Sequence, residues 1–409
     1  MNIAVIGGGA SGMMAAISAA KNGANVTLFE RNNICGIKLN ITGKGRCNVT
    51  NNCDINTLVS NTVKNGRFLY SAFSSFDSQA TIDFFQNSGV ALKTERGNRV
   101  FPVSDNAKDV SGSLRNEMHK LKVKIINSKV YEIKQENGRI SGLYSDNTFY
   151  HFDKIILATG GISYPRTGSD GEGHKIAKKL GHTVTELKPS LVALKAKGNI
   201  PSRLEGLSLK NVSITISKDN KSVYNDFGEM VFTRYGVSGP MILSASAHLD
   251  RKNTFPYTLN IDLKPALSVE TLDKRILSDF SELKNKDYAN SLGKLLPSKI
   301  IPVIITLSGI PSDKKVNSIT SEERAKLCSL MKSFPLELVS FESIDEAIIT
   351  SGGVSVKEID PKTMESKIIK GLYFCGEIID IDAYTGGFNL QIAWSTGYCA
   401  GINAAREDV

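Results

Sequence analysis

Ile3-Ala4-Val5-Ile6-Gly7-Gly8-Gly9-Ala10-Ser11-Gly12 stands at the head of the chain. Its first four residues are an apolar run without polar interruption, the pattern of a strand buried on both faces of a parallel sheet. The next six fit G-x-G-x-x-G, with Gly7, Gly9 and Gly12 in register. Met13 to Asn22 follows as a small-residue helical stretch, closed by Gly23. Val26-Thr27-Leu28-Phe29 is a second strand, and Glu30 comes eighteen residues after Gly12. Strand, glycine turn, helix, strand and acid together make a complete βαβ dinucleotide fingerprint.

Each part of the fingerprint has a physical task. Gly7 permits the tight turn out of the strand, Gly9 lets the backbone approach a pyrophosphate, and Gly12 lets helix and strand pack closely. Ala10 and Ser11 open the helix, whose N-terminus offers unpaired N–H groups and a partial positive charge to phosphates. Glu30 can accept hydrogen bonds from ribose hydroxyls. An acid there disfavours a 2′-phosphate, so FAD or NAD is expected rather than NADP. The competing reading is a glycine-rich turn in an unrelated α/β protein.

The chain of 409 residues exceeds one ordinary core, so two or three domains are expected. A hydrophobic content of 41% and a charged content of 22% are those of a globular, water-soluble protein. No apolar run is long enough to span a bilayer, so no membrane partner is expected. The apolar strand begins at residue 3, leaving no basic segment before it, so a secretory signal is not expected. None of the six cysteines forms C-x-x-C, and none clusters with histidine at zinc spacing, so no metal is expected. Reduced thiols in a cytoplasmic protein are the expectation. The formal charge is +9, but Lys and Arg are spread along the chain with no run of five. A solvated basic surface accounts for that better than a nucleic-acid partner.

Beyond Glu30, Arg31 to Cys53 reads as loop. Phe68 to Gly89 reads as a helix, and Asp105 as the cap of another from about Ala107 to Lys120. Val123–Ile126, Val130–Ile133, Ile140–Tyr144 and Thr148–Phe152 alternate like strands of an antiparallel meander, with Asn137-Gly138 as a hairpin turn. Lys154 to Ala158 is again a buried parallel strand. From Leu191 the pattern changes to short strands, with a turn at Asp219-Asn220, and helices. Pro240 starts one helix at its first position, and Thr320-Ser321-Glu322-Glu323 is a capping box. Gly371 to Cys375 returns to the buried-strand pattern, and a helix runs from about Leu390 to Ala405.

A dehydrogenase using NAD directly needs only the first fingerprint. Three further glycine-rich segments are spaced as though to enclose one long ligand: Thr42-Gly43-Lys44-Gly45-Arg46-Cys47-Asn48, Ala158-Thr159-Gly160-Gly161, and Gly376-Glu377 with Gly386-Gly387-Phe388-Asn389. This is the layout of an FAD flavoprotein.

At this point a resemblance becomes specific. GxKLxxTGxGRCN (36–48), ATGGxSYPxTGSxGxGH (158–174), GEMVFTRYGVSGP (228–240) and GLYFCGEIIDIDAYTGGFNLQIAWSTG (371–397) are similar to the BaiN/RdsA-type family of FAD-dependent oxidoreductases. The motifs cover nearly the whole chain. The resemblance implies an α/β fold: a Rossmann-like, glutathione-reductase-like FAD-binding domain with an inserted β-barrel-like and helical region. The corresponding domains are 1–190 with 346–409, discontinuous, and an insert 191–345, β-rich over 191–265 and 334–345 and helical over 266–333. It also implies bound FAD and, for some members, NAD(P)H-linked reduction of organic acceptors including steroid-type enones. NAD(P)H would then dock transiently, because only one complete fingerprint exists. Activity transfers less safely than fold.

Carried onto this chain, Gly7, Gly9, Ala10, Ser11 and Gly12 would hold the pyrophosphate and Glu30 the adenosine ribose. Arg31 and Lys38 would flank adenine or phosphate. Gly43, Gly45, Arg46, Cys47 and Asn48 would lie along the cofactor toward the flavin. Val130 would contact adenine through its backbone, and Ala158, Thr159 and Gly160 would pass beneath the dinucleotide. Gly376 and Glu377 would meet the ribityl hydroxyls. Gly387, Phe388, Asn389 and Leu390 would present N–H groups to flavin N1 and O2, where charge builds on reduction.

Plainer readings stand beside these. Gly386-Gly387 could be only a helix entry, Glu377 a surface carboxylate, and Lys44 and Arg46 phosphate clamps rather than tuners of flavin potential. Eleven residues separate Cys35 from Cys47, so a redox-active disulfide is not favoured. The five histidines are isolated and read as packed or solvated residues. Tyr164, Arg166 and Tyr384 could line the substrate side. The functional expectation is hydride passage from NAD(P)H through the flavin to a small organic acceptor. A flavin-binding protein acting on RNA is the alternative.

Overall fold

The computed structural model describes residues 1–249 and 255–407. Residues 250–254, in the stretch expected to be β-rich, and the last two, in the expected FAD-binding part, lie outside the described residues. The chain folds as two units, Met1–Ser190 with Ile344–Val409, and Leu191–Ser343.

In the first unit β1 (Asn2–Ile6) leads into helix α1 (Ala10–Lys21) and then β2 (Asn25–Phe29). Three more segments join them in a parallel sheet: β3 (Lys124–Ile126), β4 (Lys154–Leu157) and β5 (Leu372–Phe374). The spatial order is β5-β4-β1-β2-β3. Ile3, Ala4, Val5, Ile155, Ile156 and Leu157 are fully buried, as an apolar run in a sheet covered on both faces must be.

Helix α2 (Phe388–Ala405) packs directly on α1. A Cβ on Gly397 would stand 2.4 Å from the Ser11 carbonyl oxygen, and one on Gly401 2.4 Å from that of Ala15. The register rises together on both helices, so they run parallel. Glycine lets the two backbones touch, and no larger residue fits there.

Three local expectations are corrected. Residues 123–126, grouped with the meander, instead supply β3 at the edge of the parallel sheet, because the helix Ala107–Lys120 carries the chain back alongside β2. The meander proper is Val130–Glu136, Arg139–Ser145 and Thr148–His151. The single helix over 68–89 is interrupted at Phe76, where φ is −154°. Asp77 then caps Ser78–Asn87 by accepting a hydrogen bond from Ala80 N at 2.8 Å. Asn106, not Asp105, caps Ala107–Lys120. Asp105 is drawn to Lys93 and Arg46 instead.

In the second unit six strands close a barrel in the order Leu194–Ala196, Gly236–Ser238, Lys221–Phe232, Ser208–Lys218, Tyr257–Asp262 and Phe334–Phe341. The expected short strands around Asp219-Asn220 are one long hairpin. Val269–Glu282, Ile301–Ser308 and Ser321–Lys332 supply the helical part, and Thr320 and Glu323 form the capping box reciprocally.

Replacing Gly401 by Val forces the two helices apart. We expect Gly401→Val to destabilise the protein by about 1–3 kcal/mol, the range for overpacked interiors, read from the urea midpoint at unchanged slope.

Candidate cofactor site

Helices α1 and α2 point their N-termini the same way, and α2 overhangs. Gly397 meets α1 at Ser11, so the α2 N-terminus at Gly387 lies ten residues further out. That is about 15 Å along the axis at 1.5 Å per residue. The α1 N-cap, Gly9, itself stands two residues before Ser11, so the two helix N-termini are offset by about 12 Å, which suits an elongated ligand with electron-rich groups at two places.

At the α1 end the expected residues come together. A Cβ on Gly7 would stand 2.6 Å from the Ala158 carbonyl oxygen, and one on Gly12 1.8 Å from that of Gly7. Gly376, with φ of +75°, sits against the Ser11 hydroxyl, and its N–H donates to Thr396 Oγ1 at 2.9 Å. Thus Gly7, Ala10, Ser11, Gly12, Ala158 and Gly376 share the ends of β1, β4 and β5. Gly9 differs, because a Cβ there would meet nothing within 4 Å. Glu30 is 7% exposed, and both its oxygens are held. Gly8 N donates to Oε2 at 2.7 Å, and Asn32 donates to Oε1 from its N at 2.8 Å and its Nδ2 at 2.7 Å. Val130, 5% exposed, begins the meander beside this end, where Asn127 Nδ2 donates to the Asn32 carbonyl.

Arg31 and Lys38, read together in the sequence, part company. Arg31 pairs with Asp170. Lys38 Nζ donates to Glu377 Oε2 at 2.6 Å and to Ser163 Oγ at 2.7 Å. Glu377 Oε1 accepts from Thr350 N at 2.7 Å and from Ser163 Oγ at 2.9 Å. The Glu377 side chain is 15% exposed, which overturns the surface-carboxylate reading. Burial pushes its carboxyl up, but the Lys38 charge and these hydrogen bonds outweigh burial and hold it below its ordinary value.

The Gly43–Asn48 segment leads into Thr50 and Asn51, which meet the α2 end. Arg46 Nη2 reaches Glu95 Oε1 at 2.5 Å and Asp105 Oδ1 at 2.6 Å, and its guanidinium lies 4.2 Å from the Phe101 ring centre. With two carboxylates already bound, it is not a free phosphate clamp. Gly387 has φ of +102°, and a Cβ there would stand 2.4 Å from the Thr50 backbone. Asn51 Nδ2 donates to Gly386 O at 3.0 Å. The Asn389 side chain is spent on Ala383, donating to its O at 2.7 Å and accepting from its N at 2.9 Å, so only its backbone is left for a ligand. Phe388 is buried and Leu390 partly buried beside it.

A dinucleotide fits this cradle. Asn48 Oδ1 and Thr159 Oγ1 are buried without a hydrogen-bond partner, an arrangement that calls for a ligand or water. Gly9 and Gly45 leave room for close approach to the backbone, whereas a Cβ on Gly160 would stand 3.1 Å from Ser169 Oγ. Burial pushes the thiol of Cys35 up to about 11, with Glu30 adding to it, and that of Cys47 up to about 12. Both are poor thiolates. His174 is buried, hydrogen-bonded to Ile378 O, and burial holds its pKa below the ordinary value.

Ser163, Thr350, Asn32 and Gln391 were missed in the sequence. Ser163 lies within ATGGxSYP and Asn32 two residues beyond Glu30, so both carried a signal. Thr350 lies in no motif. Gln391 accepts from Thr50 Oγ1 at 2.5 Å and Thr81 Oγ1 at 2.9 Å, and donates to Phe76 O at 3.0 Å, fixing α2 to its surroundings. Gln391 lies within the 371–397 motif, but the motif does not say what its side chain holds.

A family model described as HI0933-like protein Rossmann domain matches residues 1–403. The chain is 31% identical over 410 residues to the 3-dehydro-bile acid delta(4,6)-reductase of Clostridium scindens, covering 99% of each. It is 30% identical over 409 residues to the ribosomal RNA dihydrouridine synthase of Haemophilus influenzae, covering 98% of each. Among solved structures, the 3-ketosteroid-delta4-(5alpha)-dehydrogenase of Rhodococcus jostii RHA1 superposes with a TM-score of 0.55 at 14% identity, over 99% of this chain and 96% of that one. That likeness is one of fold.

The Lys38–Glu377 pair has a measurable pH signature. The depressed carboxyl adds stability above its unfolded value, lost as pH falls through the folded one. Lys38→Met leaves burial dominant, raising the folded value, so the contribution becomes a penalty that grows with pH. We expect a loss of about 3 kcal/mol at pH 8 and a much smaller one at pH 4.5, measured by urea unfolding.

Proposed function

Since the chain belongs to the HI0933-like Rossmann family and is an FAD-dependent oxidoreductase, we propose that it takes electrons from NAD(P)H and reduces a carbon–carbon double bond conjugated to a carbonyl in a small organic acceptor. Bound FAD supplies the hydride transfer that side chains cannot perform. The observation that carries the reading is the pair of parallel helix N-termini, offset by about 12 Å, with the fingerprint at one and Gly386-Gly387 at the other.

The chain's own residues have the following roles. Gly7, Gly9, Ala10, Ser11 and Gly12 hold the pyrophosphate at the α1 N-terminus. Glu30, already oriented by Gly8 and Asn32, faces the adenosine ribose, with Val130 and Arg31 nearby. Ala158, Thr159, Gly160, Gly376, Glu377 and Lys38 line the middle. Gly43, Gly45, Arg46, Cys47 and Asn48 line the approach to the flavin. Gly387, Phe388, Asn389 and Leu390 direct the partial positive charge of the α2 N-terminus at the flavin pyrimidine, and this favours added electron density. The acceptor also needs a proton. Burial, the larger cause, pushes the Tyr164 and Tyr384 hydroxyls above their ordinary values, so both stay protonated at neutral pH.

The relatives' names support the acceptor class. A bile acid delta(4,6)-reductase and a dihydrouridine synthase both reduce a ring double bond conjugated to a carbonyl. The second name, with the +9 charge, favours a second reading: uridine in RNA as the acceptor. Nucleic acid, set aside on charge distribution alone, is therefore reinstated as a candidate partner. Among the described residues no helix is long and apolar enough to cross a membrane. The six free thiols support a reducing, cytoplasmic setting.

The test is anaerobic. NADH or NADPH should bleach the flavin of the yellow protein, and a 3-oxo-4-ene steroid or a uridine-containing oligoribonucleotide should restore its colour. The acceptor that restores it selects the reading, and a flavin that neither nucleotide reduces sinks the donor assignment. Gly9→Val should weaken FAD binding at least ten-fold, measured by quenching of flavin fluorescence. The apoprotein should keep its melting temperature, because the new side chain meets no protein atom within 4 Å at its Cβ.

A further inference from the structure

Between the cradle and solvent lies a turn of unusual hand. Gly43 (φ 57°, ψ 32°), Lys44 (φ 59°, ψ 40°) and Gly45 (φ 85°) are left-handed in succession. Glycine adopts this conformation freely, but a residue with a Cβ does so at a cost, and Lys lacks the short polar side chain that eases Asn or Asp into it. Two of the three positions are accordingly glycine, and the middle one is a lysine.

Among the described residues nothing compensates Lys44. Its side chain is exposed, and among the described residues no carboxylate, hydrogen-bond acceptor or ring engages it. Three other cations of this part of the chain are committed: Lys38 to Glu377, Arg46 to Glu95 and Asp105, and Lys93 to Asp105. The turn is also tied to the site. Cys47 N donates to Thr42 O at 3.0 Å, and a Cβ on Gly43 would stand 3.1 Å from Asn48 N. Asn48 carries the buried unpartnered Oδ1, and two residues on Thr50 supports Gly387. A strained backbone that presents an unpaired charge beside such a site points to function.

We propose that Lys44 recognises an oxyanion on the small molecule that meets the flavin, either a phosphate of the nicotinamide donor or a carboxylate of the acceptor. This rests on the reading of residues 43–48 as the approach to the flavin. Lys44 contributes to binding rather than to the chemical step, because a flexible ammonium offers a point charge without fixed direction.

The test uses the FAD-loaded protein and the variants Lys44→Gly, Lys44→Asn and Lys44→Arg. Lys44→Gly and Lys44→Asn relieve the backbone and should raise the melting temperature by about 1–2 °C at unchanged FAD content. Titration of the oxidised protein with pyrophosphate, followed in the flavin absorbance band, needs no turnover. Half-saturation should rise five- to ten-fold in Lys44→Gly and Lys44→Asn and stay within two-fold in Lys44→Arg.

Stopped-flow reduction by NADH and NADPH, and reoxidation by a carboxylate-bearing enone and its methyl ester, distinguish the two sources. Apparent affinity should fall for the nucleotide or for the acid, with saturating rates kept and the ester unaffected. Equal pyrophosphate titration in wild type and Lys44→Gly overturns the proposal, as does an effect that reaches the ester equally or appears only with an oligoribonucleotide. A protein that neither nucleotide reduces, but that still shows the pyrophosphate difference, overturns the donor reading and leaves Lys44 supported.

Discussion

Backbone-on-backbone contact between α1 and α2 is the constraint on which the site depends. Gly397 and Gly401 let α2 lie on the carbonyls of Ser11 and Ala15 with no side chain between them. Those contacts join the two ends of the chain. They also set the register that leaves the α2 N-terminus overhanging the α1 N-terminus. A shift of one helical turn along this seam would move one N-terminus by about 5.4 Å relative to the other. No rotamer change at the site could make good such a shift. The buried network of Gln391 with Thr50, Thr81 and Phe76 locks the same register from the other side of α2.

Within that frame, charge is arranged by pairing. Lys38 offsets the burial that pushes the Glu377 carboxyl up, and Arg46 is shared between two carboxylates and an aromatic face. These cations shape the walls of the site and are not available to a ligand. The groups left open are of other kinds: backbone N–H groups at two helix ends, the buried oxygens of Asn48 and Thr159, and the ammonium of Lys44. Among the described residues, these groups suit a long neutral-to-anionic molecule held through dipoles and amides, with the Lys44 ammonium proposed at its edge.

How much was legible in the sequence varied with the range of the interaction. The opening fingerprint, the capping box at Thr320–Glu323 and the buried strand before Gly376 are local patterns, and each corresponds to an observed element. The helix over 68–89 failed because Asp77 competes for the backbone N–H of Ala80, while the apolar spacing on either side reads straight through it. Strand Lys124–Ile126 was grouped with its sequence neighbours because three residues carry no mark of which sheet they join. Asp105 looked like a cap, and two distant cations, Arg46 and Lys93, claim it instead.

The sequence by itself determined the class of the molecule. A strand-glycine-helix-strand-acid succession is short-range, and its residue types are dictated by steric limits that hold in any protein. It therefore identified a dinucleotide fold, and the later glycine turns identified FAD as its ligand. What only the tertiary structure decided was the company each charged residue keeps. Lys38 meets Glu377 across 339 positions and Arg46 meets Asp105 across 59. Pairing at such separations depends on how the strands are ordered and the helices seated, which no local pattern encodes. The same holds for Lys44: the sequence shows a lysine between two glycines, and only the folded backbone shows that it stands left-handed and, among the described residues, unpaired.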